Sequence, residues 1–384
     1  MSNIKSKLFK LFRKVAPKFN WVLISGNYQV EANTVELANY IAEHYSFKVF
    51  FAVDKAVRSN VKSLLRPNVR VVNFGPAFRF CYFTCKYIFA THPGEKKLFV
   101  GHLSERQTLI NVWHGVGHKK IRLLRGQPGI PADITVATSD LTRKMFAECF
   151  GVELSSIFIS GYPRNDLMLR AQENASSLKM KLDLQSFDKI VIWLPTFRRI
   201  KSGKVLRDGA AEDNPFEVAG FDQSCFNEIL KQHNCLCIVK PHYFLSENNR
   251  SDSFTNIKSI DDSWLAQNGI TLYHLLACAD LLITDFSSVM MDFILLEKPV
   301  ICFCTDLEDY KNTQGLYFED IENWLPTELI QSHDQFFNYL THLLETGVDH
   351  HLQKRREIRD TYFKYTDANS TKRLTEHVFG HNKS

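Results

Sequence analysis

The sequence predicts an α/β protein made of two doubly wound domains that face a central cleft. Three observations carry that expectation. Apolar strand-like runs alternate with helix-like stretches along the chain, as in parallel sheets built from βα units. The alternation breaks after Gly161 and restarts at Lys189. The length of 384 residues, 45% of them hydrophobic, suits two cores of ordinary size.

In the first half, WVLIS (21–25), KVFFAV (48–53), VRVVNF (69–74), YIFATH (87–92), TLINVWH (108–114) and ITVATS (134–139) read as strands. A helix is expected over 34–44 with Thr34 as its N-cap, and FRFCYFTCKYIF (78–89) reads as a helix running into a strand. Residues 167–184 are polar and helix-favouring, and mark the boundary between the domains. Beyond it KIVIWLP (189–195), LCIVKPH (236–242), LLITDFSS (281–288) and PVICFC (299–304) read as strands, and 334–379 as charged helices. The charged stretch 199–213 has loop composition and could move over the cleft. The expected division is residues 1–19 as a separate segment, 20–170 as one domain and 187–384 as the other.

A net charge of +5 is modest for this length and does not by itself point to nucleic acid, and its distribution is uneven. The nine cysteines include no CxxC pair, and Cys235 and Cys237, like Cys302 and Cys304, alternate along strand-like runs, so the set reads as reduced core residues of a cytoplasmic protein. No apolar run is long enough to span a membrane. Residues 1–19 place Ile4, Leu8, Leu11, Phe12 and Val15 on one helical stripe flanked by Lys5, Lys7, Lys10, Arg13 and Lys14, with no acidic residue. Such a helix suits an anionic membrane surface, each basic residue contributing about 1 kcal/mol, or else packs on the protein itself.

In doubly wound sheets ligands bind beyond the carboxyl ends of the strands, so chemistry should follow strands. Five polar clusters do so. TDFSSVMMDF ends a strand at Asp285 and starts a helix at Ser287 and Ser288, where free N–H groups and two hydroxyls suit a phosphate. One turn on, Asp292 suits a ribose or polyol hydroxyl, or a salt bridge. VKPHYF brings Lys240 and His242 to a strand end, and LPTFRR presents Pro195, Thr196 and Arg198. In GYPRND, Arg164 offers a forked donor for phosphate, or braces a turn through an Arg–Asp pair. In NVWHGVGHKKI, His114 and His118 have the four-residue spacing of helical zinc ligands, but Gly115 and Gly117 between them oppose a helix. A tight turn presenting His114 to the cleft is the better reading, and a neutral imidazole there can take a proton from an alcohol. Lys119 and Lys120 would meet an anionic substrate or lipid, or only water.

Together WHGVGHKKI, GYPRND, LPTFR, KPH, LLITDFSSVMMDF and DLEDYKNTQGLYFE, in this order over residues 86–319, resemble the CDP-glycerol glycerophosphotransferase family of teichoic acid and phosphopolyol polymer synthesis. The resemblance implies a GT-B architecture of two Rossmann-like domains, the second holding a CDP-alditol and the first facing a lipid-linked acceptor. It implies catalytic roles for His114 and His242. Substrate binding falls to Trp113, Gly115, Arg164, Pro195, Thr196, Arg198, Lys240, Ser287, Ser288 and Asp292. The donor is CDP-glycerol or CDP-ribitol, the acceptor a hydroxyl of a lipid- or glycan-linked polyol or saccharide, and no cofactor or metal is expected. Two departures stand out. His-Gly-Val-Gly replaces the family's H-G-T-P, and Tyr243 follows His242 where the family has proline. The location that follows is the inner face of a bacterial membrane, held peripherally. A UDP-sugar glycosyltransferase of the same architecture and a non-catalytic membrane scaffold are the alternatives.

Overall fold

The computed structural model describes residues 16–26, 31–93, 103–195, 216, 218–241 and 254–380. Residues 1–15, the charged stretch 199–213, and the expected site residues Thr196, Arg198 and His242 lie outside the described residues.

Strands β1 (Phe19–Ser25), β2 (Lys48–Val53), β3 (Arg70–Asn73), β4 (Cys85–Ala90), β5 (Thr108–Asn111), β6 (Ile134–Ala137) and β7 (Ile157–Ile159) form one sheet in the order β3-β2-β1-β4-β5-β6-β7. Strands β8 (Lys189–Leu194), β9 (Cys235–Val239), β10 (Ile257–Ser259), β11 (Leu281–Thr284), β12 (Val300–Phe303) and β13 (Leu329–Ile330) form a second, in the order β10-β9-β8-β11-β12-β13. All the pairings are parallel. Each sheet therefore runs outward from its first strand in one direction and then in the other. The reversals, between β1 and β4 and between β8 and β11, open a crevice at the carboxyl edge.

Every residue of β9 is buried, and so is every residue of β8 after Lys189, as expected for strands covered by helices on both faces. Cys235 and Cys237 pack with Val191, Trp193, Phe216 and Phe226 in a core of the second half. Cys302 and Cys304 lie in the larger core, which runs through both halves. All nine cysteines are free thiols, and only Cys225 is exposed.

Two local readings change. The helix expected from Thr34 begins earlier, spanning Ala32–His44 after Glu31, because the Thr34 hydroxyl donates to the Glu31 carbonyl at 2.8 Å from within the first turn. The last helix, Ser370–Phe379, grouped by sequence with the second domain, packs on the first sheet. Phe379 lies 5.1 Å from Tyr45, 4.6 Å from Phe47 and 4.8 Å from Tyr87, measured between ring centroids. Its first turn is capped by Asp166 of GYPRND, which accepts from the backbone N–H groups of Ser370 at 2.9 Å and Thr371 at 2.7 Å. Among the described residues no helix is long and apolar enough to cross a membrane.

Candidate active site

At the end of β5 the chain turns sharply, and the turn is held at several points. The Asn111 side-chain oxygen accepts from the Trp113 N–H at 3.1 Å, while the Asn33 amide donates to the Trp113 carbonyl at 3.2 Å. Trp113 is forced to φ 45°, a region that bulky side chains rarely occupy. Such strain persists only where the surroundings over-determine it, and it concentrates at functional sites. Arg164 completes the clamp, donating from Nη1 to the His114 carbonyl at 2.7 Å and from its backbone N–H to Asn33 at 3.1 Å.

Gly115 follows with φ +132°. A Cβ there would stand 2.3 Å from Arg164 Nη2 and 2.6 Å from Ser288 Oγ, so only glycine lets this turn of the first half press against the helix start of the second. Ser288 opens the helix Ser288–Phe293, and Ser287 caps it, its Oγ accepting from the Val289 N–H at 3.4 Å. Gly115 and Ser288, 173 positions apart in sequence, thus meet across the crevice.

The His114 ring stacks on His92, centroids 4.3 Å apart and planes 3° apart, and lies 4.0 Å from the Trp113 ring. Its Nδ1 is buried with no hydrogen-bond partner. Burial, then the neighbouring His92 and Arg164, hold its pKa well below the usual histidine range, so the ring is neutral at physiological pH.

His118 behaves differently. Its ring lies among Phe318 and Tyr362, and its Nε2 donates to the Trp324 carbonyl at 3.0 Å. Its own carbonyl accepts from the Tyr317 N–H at 2.7 Å, and next to it Lys119 forms an antiparallel bridge with Leu316. This end of the turn is a strap onto the second half.

Arg164 and Asp292, each expected to meet substrate, meet each other. Arg164 Nη2 donates to Asp292 Oδ2 at 2.5 Å, and the Tyr273 hydroxyl donates to the same oxygen at 2.6 Å. Burial works against the guanidinium's charge, but Asp292, with Tyr273 and Glu31, holds its pKa up, while burial raises the Asp292 pKa against the pull of Arg164. Glu31 Oε1 stands 3.9 Å from Arg164 Nη1, and burial raises the Glu31 pKa to about 7. Lys240, at the end of β9, pairs with Asp262 at 3.0 Å, and Pro195 ends β8 on the same edge.

Four residues here escaped the sequence reading: His92, Glu31, Asn33 and Tyr273. His92 ends the strand-like run YIFATH, so the rule that chemistry follows strands could have found it. The other three carry no local signal, since their partners are distant in sequence.

Two parallel α/β sheets with a polar site where their carboxyl edges meet define a GT-B-type protein. Solved structures share this fold. The wall teichoic acid polymerase TagF superimposes with a TM-score of 0.74 at 18% identity, covering 98% of this chain and 94% of that one. UDP-GlcNAc 2-epimerase from Neisseria meningitidis gives 0.58 at 11% identity, covering 93% and 99%. The chain belongs to the CDP-glycerol:poly(glycerophosphate) glycerophosphotransferase family, whose model matches residues 6–380.

Among curated relatives, the teichoic acid ribitol-phosphate polymerase TarK of Staphylococcus aureus is 27% identical over 320 residues, 79% of this chain and 58% of that protein. The chain thus spans little more than half of TarK, and 53% of TarL, a ribitol-phosphate polymerase from the same organism. A teichoic acid glycerol-phosphate transferase of Staphylococcus aureus is 23% identical over 401 residues, 97% of this chain and 95% of the relative.

Proposed function

We propose that this protein transfers glycerol phosphate from CDP-glycerol to a hydroxyl of a lipid- or glycan-linked acceptor, releasing CMP, in the synthesis of a teichoic-acid-like or capsular polymer. The observation that carries the reading is the contact at Gly115, which presses the turn bearing a neutral, strand-end histidine against Ser288 at a helix start. Family membership and relatives named for glycerol-phosphate transfer support it.

In this reading His114 takes the proton from the acceptor hydroxyl. The acceptor oxygen attacks the phosphorus that bears glycerol, and the bond from that phosphorus to the oxygen of CMP breaks. Negative charge grows on the departing CMP phosphate. It is met by Ser287 and Ser288 with their neighbouring backbone N–H groups, and by His242, Arg198 and Lys240, with Pro195 and Thr196 lining the strand end. Trp113 and Gly115 shape the acceptor side. Because Arg164 and Asp292 occupy each other, their part is to hold the two halves in register around His114. The first half takes the acceptor and the second the donor. Residues 1–19 hold the protein peripherally on an anionic inner membrane surface.

A ribitol donor is the second reading, favoured by the ribitol-phosphate polymerases among the relatives and by Val116 and Gly117, where the turn departs from the family pattern. Mass spectrometry of products from CDP-glycerol and CDP-ribitol over a panel of lipid-linked acceptors separates the two. Glycerol phosphate adducts with CMP release support the proposal, ribitol adducts alone transfer it to the second reading, and no adduct with either donor ends it. Deleting residues 1–19 should reduce sedimentation with anionic vesicles, and unchanged sedimentation would contradict the membrane assignment.

A further inference from the structure

His92 has no part in the reaction just described, yet its ring stacks parallel on that of the proposed base. It stands two residues past the end of β4, and β4 pairs with β5 through Ala90 and Asn111. The Val112 N–H continues the ladder by donating to the Ala90 carbonyl at 3.0 Å, which brings the two strand ends out side by side. His92 and His114 therefore emerge together at the crevice, ring over ring at 4.3 Å and 3°. Trp113 lies 4.0 Å from the His114 ring and 5.8 Å from the His92 ring. The His92 Nδ1 is within hydrogen-bond distance of the Thr91 hydroxyl, at 3.0 Å, so its own plane is fixed.

We propose that His92 is a positioning residue, whose ring fixes the plane of His114 and receives the charge that the base acquires. The proposal rests on His114 being the base. The charged and titratable groups facing His114 are His92, Arg164 and Lys119, and Arg122 faces His92. Every one of these is cationic or can become so, and two stacked imidazolium rings would repel each other strongly. The pair therefore rests with both rings neutral, consistent with burial lowering the His92 pKa to about 4. When His114 takes a proton, the neutral face of His92 lies against the new cation, an attraction that an aromatic face supplies and an aliphatic side chain does not. With Nδ1 of His114 unpartnered, the ring is held by its hydrogen bond with the Thr91 backbone and by what it stacks against.

The test compares two volume-filling variants, His92→Phe and His92→Leu, with the wild-type protein. If the aromatic face is what matters, His92→Phe should keep kcat for CMP release from CDP-glycerol within a few-fold. His92→Leu should lose on the order of 10²-fold in kcat, the scale of a misplaced catalytic group, with KM for the donor nearly unchanged. Nitrogen-15 imidazole spectra give a readout independent of turnover, with the His114 signal identified by its loss in His114→Ala. The ring should hold a single tautomer in the wild type and in His92→Phe, and average in His92→Leu. Equal kcat for the two variants, or a loss confined to KM, would overturn the proposal. So would a His114 tautomer indifferent to residue 92. Full turnover by His114→Ala would instead remove the base assignment, while the spectra would still report whether the stack orients the ring.

Discussion

His114 and His118 share one turn, and Nδ1 of each is buried without a partner, yet the two ends of the turn do different things. At the His118 end the ring itself is a fastener, donating to the Trp324 carbonyl among aromatic neighbours. At the His114 end the fastening is done by backbone carbonyls, which bind Asn33 and Arg164, while the ring stacks on His92 and is hydrogen-bonded to the Thr91 backbone. Residue type and burial do not tell these roles apart. What distinguishes the two here is whether the ring reaches across to the other half, as His118 does to Trp324, or stays with its own strand-end neighbours, as His114 does with His92 and Thr91.

The comparison can be broken hardest at the clamp. Arg164→Met leaves Asp292 buried without its cation, and a loss of about 3–5 kcal/mol in unfolding free energy is expected, measured by denaturant titration. Arg164→Met combined with Asp292→Leu should be milder than either single change, because no unpaired charge is then left behind. Additive losses would contradict the buried pair. Next comes Gly115→Ala, whose Cβ would collide with Arg164 and Ser288 at a positive φ. About 1–3 kcal/mol of strain is expected, with a fall in CMP release on the order of 10²-fold. A neutral outcome would mean that the turn does not press on Ser288.

The His118 end should fail in stability and not in chemistry. His118→Leu leaves the Trp324 carbonyl unsatisfied and should lower stability by about 1–3 kcal/mol, with kcat per folded molecule close to wild type. The smallest effect concerns pH. Burial pushes the His118 pKa down to about 4, so the unfolded chain binds the proton more readily between that value and the ordinary histidine pKa of about 6.5. The stability due to this group is fully present above about 6.5 and is lost as pH falls towards 4. His118→Leu should flatten that part of the stability profile, and an unchanged slope would show that His118 does not titrate there.

Much of the fold is legible because buried parallel strands announce themselves as apolar runs. The strands that escaped notice, Ile157–Ile159, Ile257–Ser259 and Leu329–Ile330, are very short and lie at sheet edges, where little periodicity accumulates. The return of Phe379 to the first sheet could not be read, because its partners Tyr45, Phe47 and Tyr87 are aromatic for reasons visible only in space. In the site, His114 and Ser288 could be placed by their positions after strands. The mutual engagement of Arg164 and Asp292 could not, since each separately has the chemistry of a ligand-binding residue and nothing local says that its partner is protein. His92 was readable in principle, as a polar residue at the end of a buried strand.

The central claim, that His114 and not His118 is the base, is tested most directly by the rate of CMP release from CDP-glycerol with a competent acceptor, compared between His114→Ala and His118→Leu. The account predicts a loss of about 10²–10⁴-fold in kcat for His114→Ala, without a matching loss of folding, and a near-normal kcat for His118→Leu. Near-normal release by a folded His114→Ala protein would contradict it.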